Sequence, residues 1–535
     1  MGDNQMRQSY DVVVIGSGFG GAITACRLAQ RGRSVCILER GKRWRKDEFP
    51  RTNSEVSRAF WNPDRREFGL LDYQVFRRMD VIQGTGVGGG SLVYFNVHKR
   101  APKSIFERPE WPAEIKLDRL IPYYETVREM LEARPFTPPE DRVLPPRTQA
   151  FLDAANHSKR NPELVNIAVY TGPERHHPVG GALQNACVYC GNCMLGCHVH
   201  AKQTLDLNYI PLAEKNGADV FPLRQVDRVE PVNPADPEAR AGYIVHFNSY
   251  ENGGGSYAGS VVGKKVIVAA GSLGSTELLL RSRDMRKTLP GLSPMVGRRW
   301  SGNGDMLFAG TYDTNREINA TIGPGITAGA DFSTADNGIF IEDLGFPEGF
   351  TWFFEASLPL PARIRNLLQF VGAYLKRSTG FGAFAPSDVG AGSIFRGGIS
   401  ARLMPYLGMG TDAADGRLRL SKQGKVEVVW RHTYSRQMLK ELERGLKELS
   451  ANLGGTYGPS PLTLLPLNKL LTAHPLGGCV IGESPDHGVV NEYGEVWGYP
   501  NLYVADGAII PTALGVNPSA TIGALAERIA EHIAG

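Results

Sequence analysis

Four cysteines, Cys187, Cys190, Cys193 and Cys197, are spaced C-x2-C-x2-C-x3-C within "NACVYCGNCMLGCHVHAKQTL". Thiolates at this spacing hold iron–sulfur clusters, although the ferredoxin run gives its fourth cysteine to a second cluster and only one run exists here. A zinc tetrahedron would be crowded on so short a segment. Free thiols or a disulfide are the remaining readings, with His198 and His200 as extra donors or as surface polar residues. A second group is His474, in "TAHPLGGC", whose small and glycine neighbours bring backbone close to something. Histidine titrates near neutrality and so can accept a proton in a reaction. A third is Glu342, in "NGIFIEDLG". Phe340, Glu342 and Leu344 alternate onto one face of an expected strand. A carboxyl among apolar neighbours has its pKa raised by desolvation, as a proton shuttle requires. The alternative is a solvent-facing carboxylate, with Ile339, Ile341 and Asp343 opposite. Glu355, in "FFEASLP", is the competing acid.

The elements that must position these groups announce themselves at both ends of the chain. "DVVVIGSGFGGAITACRLAQRGRSVCILERG" reads as strand, turn, helix and strand. Val12 to Ile15 is a continuous apolar run, as in a buried parallel strand. Gly16, Gly18 and Gly21 form G-x-G-x-x-G ahead of the helix. Glu39 ends the second strand, where a carboxylate binds a ribose hydroxyl. The order of parts predicts dinucleotide binding without choosing the dinucleotide. "VIQGTGVGGGSLVYFN", with Gly88, Gly90 and Ser91 in its middle, suits backbone lying against a large flat ligand. At the other end, Leu502 to Val504 reads as a strand ending at Asp506-Gly507. Asn517-Pro518 then cap a helix whose N-terminus favours negative charge.

Composition sets few further limits. The 535 residues carry 59 Lys+Arg against 55 Asp+Glu, so nothing calls for nucleic acid. No apolar run is long enough to span a membrane, and the start has no secretory pattern. The expectation is a cytoplasmic protein, able to sit peripherally at a membrane, with reduced thiols.

Four stretches together resemble the glucose–methanol–choline (GMC) flavoprotein oxidoreductases: the N-terminal glycine motif, "GTGVGGGSLVYFN", "HPLGGC" and "NLYVADGAIIPTALGVNPSATI". Within that family the chain more closely resembles bacterial cholesterol oxidases and their actinobacterial relatives. "VIVAAGSLGSTELLL" also matches the family pattern. The resemblance implies non-covalent FAD and oxidation of an alcohol by hydride transfer. A sterol or other lipophilic secondary alcohol is the expected substrate and O2 the expected acceptor, with C=C isomerisation as an added step. The competing activity is a long-chain alcohol or sugar dehydrogenase that passes electrons elsewhere, through an iron–sulfur cluster. The resemblance puts His474 and Asn517 at the family's catalytic positions, and Glu342 where sterol oxidases move a proton. Gly16, Gly18, Gly21, Glu39, Gly88, Gly90, Ser91, Asn96, Val226, Asp506, Gly507, Asn517 and Ser519 are the expected cofactor contacts. One departure is that Tyr94 stands where sterol oxidases carry Asn, with Asn96 two residues later.

The expected fold is α/β. A discontinuous Rossmann-like FAD domain (1–45, 80–100, 203–300 and 472–535) joins an α+β substrate domain with an antiparallel or mixed sheet (46–79, 101–202 and 301–471). Residues 362–377 could form a helix with Ile364, Leu367, Leu368, Val371 and Leu375 together and basic flanks. That is either a membrane-surface contact or an ordinary cover helix. Met438, Leu442, Leu446 and Leu449 predict a core-facing helix that ends at Gly454-Gly455.

Overall fold

The structure, a computed structural model, describes residues 5–236, 238–250, 256–350, 399–464 and 468–535. Glu355 and the helix expected over 362–377 lie outside the described residues.

The apolar runs of the sequence become the centre of a seven-stranded sheet. Strand β1 (Ser9–Ile15) leads through a glycine turn into helix α1 (Phe19–Gln30) and back to β2 (Val35–Leu38). The sheet is extended by β3 (Asp219–Phe221), β4 (Arg224–Pro231), β5 (Tyr243–Tyr250) and β6 (Ser256–Val268) in the order β3-β2-β1-β6-β5-β4. Pairings among β1, β2, β3 and the end of β6 are parallel, whereas β4, β5 and the start of β6 form an antiparallel flap. The short strand Leu502–Val504 adds to β6 in parallel, so the far end of the chain completes the sheet. Helix α2 (Gly271–Leu280) follows β6 directly. The C-terminal helix, Ser519–Ala534, packs on α1, where Arg27 Nε donates to Glu527 at 2.7 Å.

Two glycine features of the first turn have a visible cause. Gly16 has φ +99°, a left-handed backbone that L side chains rarely adopt. A Cβ on Gly20 would run into the Ala505 carbonyl, so the turn and the strand end can touch only without a side chain there.

The second layer is a six-stranded antiparallel sheet. It contains β7 (Met306–Tyr312), β8 (Ala328–Asp331), β9 (Ile339–Asp343) and β10 (Met404–Gly410), in the order β7-β10-β9-β8, with Thr456–Gly458 and Glu163–Leu164 at the edges. Every residue of β9 is buried. Its two faces serve different cores: Phe340 belongs with the large core under the first sheet, while Ile339 and Ile341 pack with helix α3 (Arg436–Asn452). The expected alternation is therefore present, but neither face meets solvent. Met438, Leu442, Leu446 and Leu449 on α3 are buried, as their spacing predicts. A small third sheet pairs Leu470–Thr472 in parallel with Met79–Gly84 and brings the chain to His474. Among the described residues, no helix is long and apolar enough to cross a membrane.

Candidate active site

One elongated cavity of about 320 Å³ runs along the C-terminal ends of β1, β2 and β6 and ends beneath the second sheet. This is where open α/β sheets bind ligands. At one end its wall is largely backbone: Gly16, Gly18, Gly20, Gly89, Gly90 and Gly271. Positions where a Cβ on Gly18 or Gly90 would sit are empty space within 4 Å. Glu39 lines the same end. Its Oε2 accepts from Ser17 N at 3.0 Å and its Oε1 from Gly41 N at 2.8 Å and Gly86 N at 3.3 Å, tying three loops together. Val226 lies on the wall at a bulge in β4, and Gly507, Ser519 and Asp506 complete it. Asp506 accepts from Gly271 N and Ser275 Oγ, and burial pushes its carboxyl up.

The other end is built from side chains. His474 lies on the wall, and its Nδ1 is 3.0 Å from Asp305 Oδ1. Asp305 is fully buried, and its Oδ2 accepts from Thr472 Oγ1 at 2.9 Å and Ala473 N at 3.0 Å. A carboxylate held this way assigns the proton to Nδ1 and leaves the Nε2 lone pair free. Asn517 also lines the cavity and donates from Nδ2 to Glu342 Oε2 at 3.1 Å. Glu342 is fully buried behind it, and burial pushes its carboxyl up to about 8. Glu342 Oε1 and Asn517 Oδ1 have no hydrogen-bond partner among the described residues. Buried polar atoms of this kind call for a ligand or a functional reason. Leu307, Ile326, Phe346 and Leu407 supply the apolar part of this end.

Sequence reasoning missed the segment that organises this end, "SGNGD" at 301–305. Asn303 Oδ1 accepts from Leu514 N and Gly515 N at 2.9 and 3.0 Å, and its Nδ2 donates to Val516 O, which fixes the loop carrying Asn517. Asp412 holds the turn itself, accepting from Ser301 Oγ at 2.7 Å and from Gly302 N and Gly304 N at 3.1 Å. Two small polar residues flanked by glycines just after the nucleotide portion were the available signal.

Several expected contacts lie elsewhere. Gly21 is behind the wall, packed so that a Cβ would strike the Gly16 carbonyl. Gly88 and Ser91 are not on the wall: Ser91 Oγ donates to Gly88 O at 2.7 Å and accepts from Leu205 N at 3.0 Å, which shapes the loop from within. Asn96, with φ +70°, points its amide at Cys193 Sγ, 3.7 Å away, while Tyr94 and Phe95 occupy the wall. The helix after Asn517 starts at Ser519, with Pro518 as its cap, one residue later than the sequence suggested.

The cysteine expectation needs correction as a metal site. Cys187, Cys190, Cys193 and Cys197 are all free, and among the described residues no three His, Cys, Asp or Glu side chains converge to hold a metal. The physical reason is visible in the loop. Tyr189, Gly191, Gly196 and His200 all take left-handed backbone, and the Cys193 carbonyl is held by Lys202 Nζ at 2.7 Å. The four thiols lie near enough to one another to raise each other's pKa, but they do not converge as a ligand set, so an iron–sulfur cluster is not supported.

The glycine-lined end, the carboxylate at the end of β2 and the imidazole facing the cavity define a flavin-dependent oxidoreductase acting on CH–OH groups, and the open Gly18 and Gly90 positions and the orphaned Asn517 Oδ1 fit FAD. GMC oxidoreductase family models match residues 11–300 and 413–526, and the chain belongs to that family. It is 32% identical over 555 residues to a cholesterol oxidase of Mycobacterium tuberculosis, covering 98% of this chain and 91% of that protein. A cholesterol oxidase of Acinetobacter baumannii is 28% identical, covering 98% and 94%. Among solved structures, formate oxidase from Aspergillus oryzae superposes with a TM-score of 0.66 at 14% identity over 99% of both chains, a likeness of fold.

Proposed function

We propose that this chain oxidises a lipophilic secondary alcohol of the sterol class to its carbonyl, with O2 as electron acceptor. The observation that carries the reading is the pairing of Asp305-held His474 with Asn517 and Glu342 at the apolar end of the cavity. The backbone end, with Gly16, Gly18, Gly90, Glu39 and Val226, would hold FAD. Bound FAD supplies the two-electron acceptor for hydride from the carbinol carbon.

The chain's own residues do the rest. Asp305 keeps the proton on His474 Nδ1, so Nε2 accepts the hydroxyl proton of the substrate. Asn517 orients the hydroxyl oxygen, and its own rotamer is fixed by Glu342. A carboxyl pushed up to about 8 is protonated at neutral pH. Glu342, one hydrogen bond behind Asn517 on the cavity wall, is therefore the proton carrier assigned to an isomerisation step for substrates with a neighbouring C=C bond. Apolar walls at Leu307, Phe346 and Leu407 exclude water and favour a hydrocarbon skeleton.

The two sheets support the proposed division into an FAD domain and a substrate domain. All strands of the first fall within 1–45, 203–300 and 472–535, and all strands of the second within 101–202 and 301–471. The test is an anaerobic screen of sterols, long-chain alcohols and sugars that reads bleaching of the flavin absorbance, followed by peroxide measurement under air. Bleaching by sterols with stoichiometric peroxide supports the reading. Bleaching only by sugars, or none, overturns the substrate, and absence of peroxide overturns the acceptor.

A further inference from the structure

Strands β7 and β10 do not pair evenly. Leu307 lies opposite Leu407 and Ala309 opposite Tyr406, so Phe308 is an extra residue without a cross-strand position. This is a β-bulge. Its backbone is left-handed, with φ +66°, a region that bulky side chains rarely occupy. In a regular strand Leu307 and Phe308 would point to opposite faces. Here both line the catalytic cavity. Phe308 is partly buried and packs against both cores.

The bulge is held from each side. Before it, Asn303 O accepts from Gly410 N, and Asp305 is committed to His474. After it, Thr311 pairs with Met404 and donates to or accepts from Tyr406 Oη at 2.6 Å. Strained conformations persist where the surroundings over-determine them, and they gather at functional sites.

We propose that Phe308 is a specificity-determining residue: the bulge turns its ring into the apolar end of the cavity and limits the width of the alcohol accepted there. A regular strand would send the ring to the other face and leave a wider cavity. The accepted class is narrow or flat hydrocarbon alcohols, and globular groups beside the carbinol carbon are rejected. This inference rests on reading that end as the alcohol site.

The test uses flavin-loaded protein and the variants Phe308→Gly, Phe308→Ala and Phe308→Leu. Cyclohexanone and 2-adamantanone are titrated against the flavin absorbance, and cyclohexanol and 2-adamantanol are compared in single-turnover flavin reduction. Phe308→Gly should shift the adamantyl-to-cyclohexyl preference upward by about tenfold. It should also melt no lower than Phe308→Ala, because glycine accepts the left-handed backbone. Phe308→Leu, which keeps an apolar side chain of comparable length, should shift that ratio the least of the three. Should the glycine variant fail to fold, the alanine and leucine variants read the same ratio. An unchanged ratio, or no ketone binding in any variant, overturns the inference. If no alcohol reduces the flavin but the ketone ratio still shifts, the alcohol reading fails and the role of Phe308 in setting the cavity width stands.

Discussion

At the glycine-lined end of the cavity the wall is largely main chain, and what matters is the absence of side chains at Gly16, Gly18, Gly20 and Gly90. At the substrate end the wall is side chain, and what matters is a set of buried polar bonds: Asp412 to the 301–304 turn, Asn303 to 514–516, Asp305 to His474, and Glu342 to Asn517. A backbone site tolerates little, since an added atom strikes neighbouring backbone at Gly16 and Gly20 and intrudes on the cavity at Gly18 and Gly90, but it leaves a repeated pattern in sequence. A network site leaves almost no local pattern. Its members are far apart in the chain, and each is one ordinary polar residue. On the proposed reading, backbone amides and the Glu39 carboxylate would hold phosphate and ribose, which many chemistries share, whereas the side chains at the other end must match one substrate.

Substitutions at the two ends should therefore fail differently. The largest effect is expected from Gly20→Ala, which drives a methyl into the Ala505 carbonyl. The purified protein should lack flavin absorbance altogether. Retention of stoichiometric flavin would show that the turn can move aside. Next, His474→Ala should keep the flavin and lose about 10²–10⁴-fold in turnover. The same loss without flavin would erase the distinction between the ends. Asp305→Asn should cost about 10²-fold through misplacement of the imidazole. The pH dependence of turnover should change with it, which a purely structural defect would not do.

A smaller effect concerns stability. The carboxyl of Glu342 is raised from its ordinary 4.5 to about 8 by burial, so the folded chain binds the proton more tightly than the unfolded chain. Stability tied to this group is complete below about 4.5 and is lost progressively as pH rises towards about 8. Glu342→Gln removes that dependence and keeps an acceptor for Asn517. Its melting temperature relative to wild type should rise by roughly 2 °C or more between pH 5 and pH 9. A constant difference across that range would place Glu342 in a wetter setting than its burial implies. The smallest effect is expected outside both ends. Cys190→Ser should leave flavin content and turnover within about twofold, and the wild-type protein should contain no iron or acid-labile sulfide.

Legibility in the sequence follows the same division. The strand–glycine–helix–strand run at 11–41 and the strand at 502–504 were readable because backbone sites depend on local spacing. The core face of α3 was readable from its helical period. His474 and Asn517 stood out because glycines and proline crowd around them. Glu342 was readable only as one of two alternatives, and the choice needed the large core of the first sheet packed on the face opposite α3. Asn303, Asp305 and Asp412 were not readable, because their meaning is the partner each reaches more than a hundred residues away. The cysteines show the converse case, a strong local spacing whose thiols stay neighbours in the fold without converging as a ligand set.

The cavity walls draw on residues 15–20 and on residues 506–522, and Leu502–Val504 completes the first sheet. During synthesis the opening strand emerges hundreds of residues before its closing partner. No intermediate on the ribosome can present a finished cradle, however well its earlier portions have folded. Cofactor capture must wait until residues 502–522 have left the ribosome, and a chain stopped before Leu502 should be a colourless product.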